Sequence, residues 1–199
     1  AVVKMLNGQL FVTRAGGLPG GYDTPTLQQL AVIAKEEKVN HIVIEANFGD
    51  GMYQALFEPV LNRVHACAIE EVKHSTQKER RIIDTLEPVV SRHKLIVAKR
   101  VIEDDFRTTQ SYEADNRFTK SLIYQLTRVT YDRGALTHDD RLDALAIAVG
   151  YWVENMAQDQ DRGIARERAE NLNKELERFM EHAIGRRPSP TKWNAIHGR

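Results

Sequence analysis

The chain has 199 residues, 42% hydrophobic and 28% charged, with 28 basic against 28 acidic side chains and a formal net charge of zero. That length supports one sizeable core with a small appendage but not two full domains, and a neutral chain has no global field to announce nucleic acid or membrane, so any such partner must be argued from local patches. One cysteine, Cys67, excludes an internal disulfide and a cysteine-based zinc site and fits a reducing compartment, and no apolar run is long enough to span a bilayer.

In chain order, "AVVKML" and "QLFVTRA" are short β-rich runs around Asn7-Gly8, which predicts an antiparallel hairpin. The chain opens in mid-strand without an initiator Met, as a fragment of something longer would. "GGLPGGYDTP" reads as loop, with Asp23 or Thr24 placed to cap a helix running to Lys38. "HIVIEA" has the continuous β-branched character of a strand covered on both faces, and Glu45 ends it. The turn "NFGDG" leads to a helix from about Met52 to Arg63, and "VHACAIEEV" returns as a strand. "KERRIIDTLEPVVSRH" is helical in period, "KLIVA" is a further strand, and "VIEDDFRTT" is a short helix or turn. This alternation predicts an α/β fold, a mixed sheet flanked by helices and opened by a hairpin.

After "SLIYQLTRVTY" and "DRGAL", a helix is predicted from Asp139 to about Met156, with Leu142, Leu145, Val149, Trp152 and Met156 on one stripe. A second, charged amphipathic helix, "DRGIARERAENLNKELERFMEHA", follows it. The end is a basic tail carrying Arg186, Arg187, Lys192 and Arg199. The division expected is residues 1–157 for the α/β domain and 158–199 for the charged helix and tail.

Three carboxylates, Asp139, Asp140 and Asp143, open the Asp139 helix. Thr137 followed three residues later by Asp140 approximates a capping box, and acids in a first turn suit the helix dipole. Asp143 lies a full turn further on among residues that look buried, and a buried carboxylate must be protonated, paired or metal-bound. Glu45, at a strand end where α/β folds place ligands, poses the same problem. Together Glu45, Asp140 and Asp143, with Asp139, form a hard-oxygen set suited to Mg²⁺ or Mn²⁺. Two such ions roughly 3.5–4 Å apart activate a water and stabilise the leaving oxygen in phosphodiester hydrolysis. His138 adjoins the acids as a possible ligand or proton shuttle, although a first-turn surface histidine is the plainer reading. Cys67 reads as core rather than nucleophile. "NFGDG" at a helix N-terminus can offer backbone N–H groups to a phosphate, with a plain turn as the alternative. "KHSTQKERR" supplies Lys73, Lys78, Arg80 and Arg81 as candidate contacts to a nucleic-acid backbone, or else a solvated helix start.

"VIEANFGDGMYQALFEPVL", "HSTQKERRIIDTLEPVV" and "GALTHDDRLDALAIAVGYWVE", in this order, resemble the C-terminal nuclease domain of the large terminase subunit, or DNA maturase, of short-tailed phages. The likeness covers most of residues 1–157; "DDxxDAL" alone is shared with other ribonuclease H-like nucleases, Holliday-junction resolvases among them. It implies a ribonuclease H-like fold that cuts concatemeric double-stranded DNA during viral genome packaging in the host cytoplasm. It also implies an ATPase domain in the full-length chain, and a portal protein and small terminase subunit as partners. By position the family's central acid falls on Glu45 and its terminal acidic motif on Asp139, Asp140 and Asp143; which of these touch metal is left open, Asp140 and Asp143 being favoured for sharing a helix face. The family's first catalytic Asp lies on a strand preceding the hairpin, and this sequence has no counterpart to that strand. Two rivals stand beside this reading. One is a junction resolvase. The other is a docking module in which the charged helix and tail bind the portal or small subunit and the acids serve only as caps.

Overall fold

The computed structural model describes residues 1–18, 20–46 and 51–184. The chain divides into two compact units, Ala1–Val153 and Glu154–Arg199. In the first, β1 (Val2–Leu6) and β2 (Gln9–Arg14) form the predicted antiparallel hairpin. Its two turn residues both take positive φ, Asn7 at 51° and Gly8 at 75°, as a type I′ turn requires. After α1 (Thr24–Glu36) come β3 (His41–Glu45), α2 (Met52–Val64), β4 (Ala68–Val72) and α3 (Lys78–Ser91). Then β5 (Leu95–Val97), α4 (Lys99–Thr109), α5 (Leu122–Arg128) and α6 (Asp140–Ile184) complete the order. Asp23 caps α1, its carboxylate accepting the Thr26 N–H at 2.9 Å. Those bonds, led by the Thr26 N–H, hold the Asp23 carboxyl below its ordinary range.

The strands form a mixed α/β architecture in two pieces, a three-stranded sheet ordered β1-β2-β5 and a parallel pair β3-β4. β5 joins β2 in parallel, Leu10 facing Leu95 and Val12 facing Val97. β3 differs from the fully covered strand its composition predicts, because every one of its residues is only half-buried. Alternation along a strand accounts for this. Ile42 and Ile44 pack with Ile69 against α1 and α2, onto Leu27, Ala31, Phe57 and Leu61. His41, Val43 and Glu45 look the other way.

The main core lies around β2 and α3 to α6: Leu10, Val12, Ile82, Leu86, Val101, Leu122, Leu142, Leu145 and Val149 are buried. α6 touches the first strand of each sheet through adjacent residues. The Trp152 indole N–H donates to the Val3 carbonyl at 3.0 Å, and the Tyr151 ring stacks on His41 at 4.5 Å.

Of the two readings of "VIEDDFRTT", helix or turn, the helix holds: it belongs to α4, 11 residues long, because Val101, Asp105 and Thr109 recur at helical spacing on its buried face. One local expectation is corrected. The two predicted C-terminal helices are one continuous α6; Gly163 lowers helix propensity but does not interrupt it. Among the described residues no helix is long and apolar enough to cross a membrane. Most of the "NFGDG" turn and the basic tail with Arg186, Arg187, Lys192 and Arg199 lie outside the described residues.

Candidate active site

α6 and β3 bring the acids together by matched lengths. His41 stacks on Tyr151, and Glu45 lies four residues along β3 on the same face, roughly 13 Å away at strand rise. Asp143 lies eight residues back along α6, about 12 Å at helix rise. The two elements run in opposite senses, so the C-terminal end of β3 meets the N-terminal turn of α6. The first turn of α3 arrives at the same place with two cations.

Arg81 Nη2 donates to Asp143 Oδ1 at 2.6 Å and to Glu45 Oε1 at 3.4 Å. Lys78 Nζ lies 2.9 Å from Asp139 Oδ1 and 3.0 Å from Asp143 Oδ2. Asp143, whose side chain is 5% exposed, thus has one oxygen on each cation. Burial opposes the Lys78 ammonium, but its hydrogen bonds to Asp139 and Asp143 and their charges outweigh that, so its pKa lies above the ordinary lysine value. The helix dipoles enter with opposite signs: carboxylates favour the α6 N-terminus, whereas Lys78 and Arg81 sit at an N-terminus that disfavours cations. The ion pairs offset that cost. Arg81 Nε is buried and has no hydrogen-bond partner.

Asp140 is exposed. The Asp143 N–H closes the first helical bond on the Asp139 carbonyl at 2.8 Å, so Asp139 occupies the N-cap position. This starts the helix two residues later than a capping box on Thr137 requires. The structure therefore links Glu45, Asp139 and Asp143 through Lys78 and Arg81, and Asp140, the next residue after Asp139, is exposed.

The other singled-out residues fall as follows. Lys78 and Arg81, read from sequence as phosphate contacts, pair with the acids, while Lys73 and Arg80 are exposed. Val72 pairs with Glu45, so Lys73 stands at the same end of the β3-β4 pair as the acids. His138 is half-buried with Nδ1 2.9 Å from Lys120 Nζ, and a lysine donor leaves that nitrogen as the acceptor. Cys67 packs against the α1/α2 core, where burial pushes its thiol pKa up.

A buried scaffold aims α6. Asp105, 2% exposed, accepts from Ser121 Oγ at 2.6 Å, the Leu122 N–H at 2.9 Å and Arg141 Nη1 at 2.6 Å. The Leu142 N–H, one of the free donors of the α6 first turn, goes to the buried Gln125 side chain at 3.0 Å. From α3, Glu79 accepts the Gly134 N–H at 2.6 Å, and Gln77 Nε2 donates to the Tyr131 carbonyl at 3.0 Å, pinning the segment that leads into α6. Sequence reasoning missed this scaffold. A signal for Asp105 existed, since it falls four residues after Val101 on the apolar stripe of α4.

Oxygen donors of this kind are chemically suited to a divalent cation. As the side chains stand, Lys78 and Arg81 fill the space between them, and among the described residues no group of three or more His, Cys, Asp or Glu side chains is arranged to hold an ion.

Residues 1–95 match the family model described as the ribonuclease H-like domain of the bacteriophage T7 terminase. The large terminase subunit of Enterobacteria phage T3 is 44% identical over 184 residues, covering 92% of this chain. The chain spans 31% of that relative's length. The resemblance carried by the three sequence segments and these two matches agree: the chain is related to the large terminase subunits of tailed phages, and residues 1–95 match their ribonuclease H-like domain.

Proposed function

We propose that this chain is the endonuclease part of a viral DNA-packaging terminase, cutting concatemeric double-stranded DNA by two-metal-ion phosphodiester hydrolysis. The observation that carries the reading is the convergence of Glu45, Asp139 and Asp143 at the end of β3. Residues 1–157 form the nuclease domain and 158–199 a C-terminal extension. Glu45 and Asp143, with Asp139, would hold Mg²⁺ or Mn²⁺; when bound, the metal supplies water activation and charge stabilisation at the leaving oxygen. Asp140, exposed beside them, is the remaining candidate from the motif.

Lys78 and Arg81 neutralise the acids in the metal-free state. Once a divalent cation compensates those carboxylates, the two side chains are free to meet the phosphates beside the cut. Arg81 already carries one donor, Nε, without an acceptor. Lys73 and Arg80 extend the same basic surface to the backbone of the duplex. The ATPase domain of the full-length subunit, a portal protein and a small terminase subunit are the partners of this reading, and the host cytoplasm is its setting.

The test is cleavage of supercoiled plasmid in Mn²⁺ by a version of the chain extended upstream, with Glu45→Gln, Asp143→Asn and Asp140→Asn variants compared at matched thermal stability. Loss of cleavage in the first two supports the assignment, and unchanged cleavage in Asp143→Asn sinks it. A preference for branched over linear duplex in competition would move the reading to a junction resolvase.

A further inference from the structure

In the C-terminal unit, α6 presents Ala165, Ala169, Leu172, Leu176 and Phe179 at alternating spacings of four and three residues, the seam of a coiled coil. Leu172 is 59% exposed, Leu176 49% and Phe179 68%, so this stripe is uncovered, while Ile164 stands off it. A lone helix of this length gains little from propensity and depends on packing of its apolar face. The flanking positions carry both signs in near balance, and Arg166 and Glu170 already pair within the helix at 3.1 Å. A strongly charged partner has no complement here; a helix of the same composition does.

We infer that this face pairs with the same face of a second copy of the chain as an antiparallel two-helix coiled coil. Two observations set the direction. Opposed in register, Ala169 meets Leu172 of the second copy and Ala165 meets its Leu176, so small residues face large ones in the four central layers, and Phe179 lies opposite Arg162 at either end. In parallel, Ala would face Ala and leave voids while Leu172 faced itself. The seam-flanking Arg168 then lies opposite Glu175 of the second copy, and the twofold axis repeats the pair. The parallel arrangement would set Arg168 against Asn173 and Glu175 against Met180, with no ion pair. Charge complementarity and side-chain volume therefore select one orientation.

The full chain should show a reversible monomer–dimer equilibrium by sedimentation. Arg168→Glu and Glu175→Arg should each weaken it by about tenfold, since two symmetry-related pairs become repulsive, and the double swap should restore it. In a Cys67→Ser background, Ala169→Cys chains mixed with Leu172→Cys chains should form the mixed disulfide. These exposed positions lie outside the core of the first unit, so circular dichroism of each variant should match the parent. A chain that stays monomeric at all concentrations up to roughly 0.1 mM, far above what a specific contact needs, overturns the inference. So does insensitivity to both charge reversals, or a Leu172→Cys chain that cross-links only to itself, which signals parallel pairing.

Discussion

Replacing Arg81 with Met keeps the length and the apolar stem but removes the charge between Asp143 and Glu45. Two opposed effects follow. Without metal, Asp143 keeps Lys78 on one oxygen but loses Arg81, which is 2.6 Å from the other and 11% exposed. Breaking a buried ion pair costs about 3–5 kcal/mol; with Lys78 remaining and water near, we expect about 2 kcal/mol. For a chain of this size that lowers Tm by about 4–8 °C. With metal, the sign reverses. A unit cation within roughly 4 Å of a divalent ion repels it by about 2 kcal/mol even at the dielectric constant of water, so removing Arg81 should tighten Mn²⁺ binding by at least about tenfold. The Mn²⁺-induced rise in Tm should therefore be larger in Arg81→Met than in the parent, although the variant starts lower. Thermal unfolding across a Mn²⁺ titration, checked by calorimetric binding, reads both effects. An Arg81→Met chain that is destabilised without any gain in Mn²⁺ affinity would refute the idea that Arg81 and metal compete for these carboxylates.

Asp105→Asn should destabilise the chain by about 3 kcal/mol in urea unfolding, because Arg141 would be left buried without its charge partner; a loss under about 1 kcal/mol would show the hub to be dispensable. Asp140→Asn, at an exposed position, should change stability by no more than about 0.5 kcal/mol, whereas Asp139→Asn, which loses the Lys78 contact, should cost more; equal losses would contradict the helix start. Burial acts against the Glu37 carboxylate but is outweighed by Lys4 and Thr13 hydrogen bonds and the Lys4 and Arg100 charges, so its folded pKa lies below the ordinary 4.5. Its stabilisation is thus present above the unfolded pKa and lost as pH falls through the lower folded value. Acid titration of stability should be shallower in Glu37→Gln than in the parent below about pH 4.5, and identical slopes would remove Glu37 from the account.

Local sequence determined much of this protein. Asn7-Gly8 makes the hairpin because both residues tolerate positive φ, and Asp23 caps α1 because its carboxylate reaches the Thr26 N–H. The apolar period through Leu142, Leu145 and Val149 identifies a helix that opens with acids. The Asn7-Gly8 turn and the Asp23 cap are local physics, readable from a few neighbours. Which of three neighbouring carboxylates faces inward is not. A shift of one residue in the start of α6 turns the helix by 100°, and that start is set by Gln125, Asp105 and the α3 contacts to residues 131 and 134, all distant in sequence. The same holds for Lys78 and Arg81: "KERR" states that cations open a helix, but only the packing of α3 between the end of β3 and the start of α6 makes their partners Glu45, Asp139 and Asp143. Charge is written in the sequence; which charges are close enough to neutralise one another is decided by the tertiary structure, because Coulomb energy depends on a separation that no linear spacing encodes.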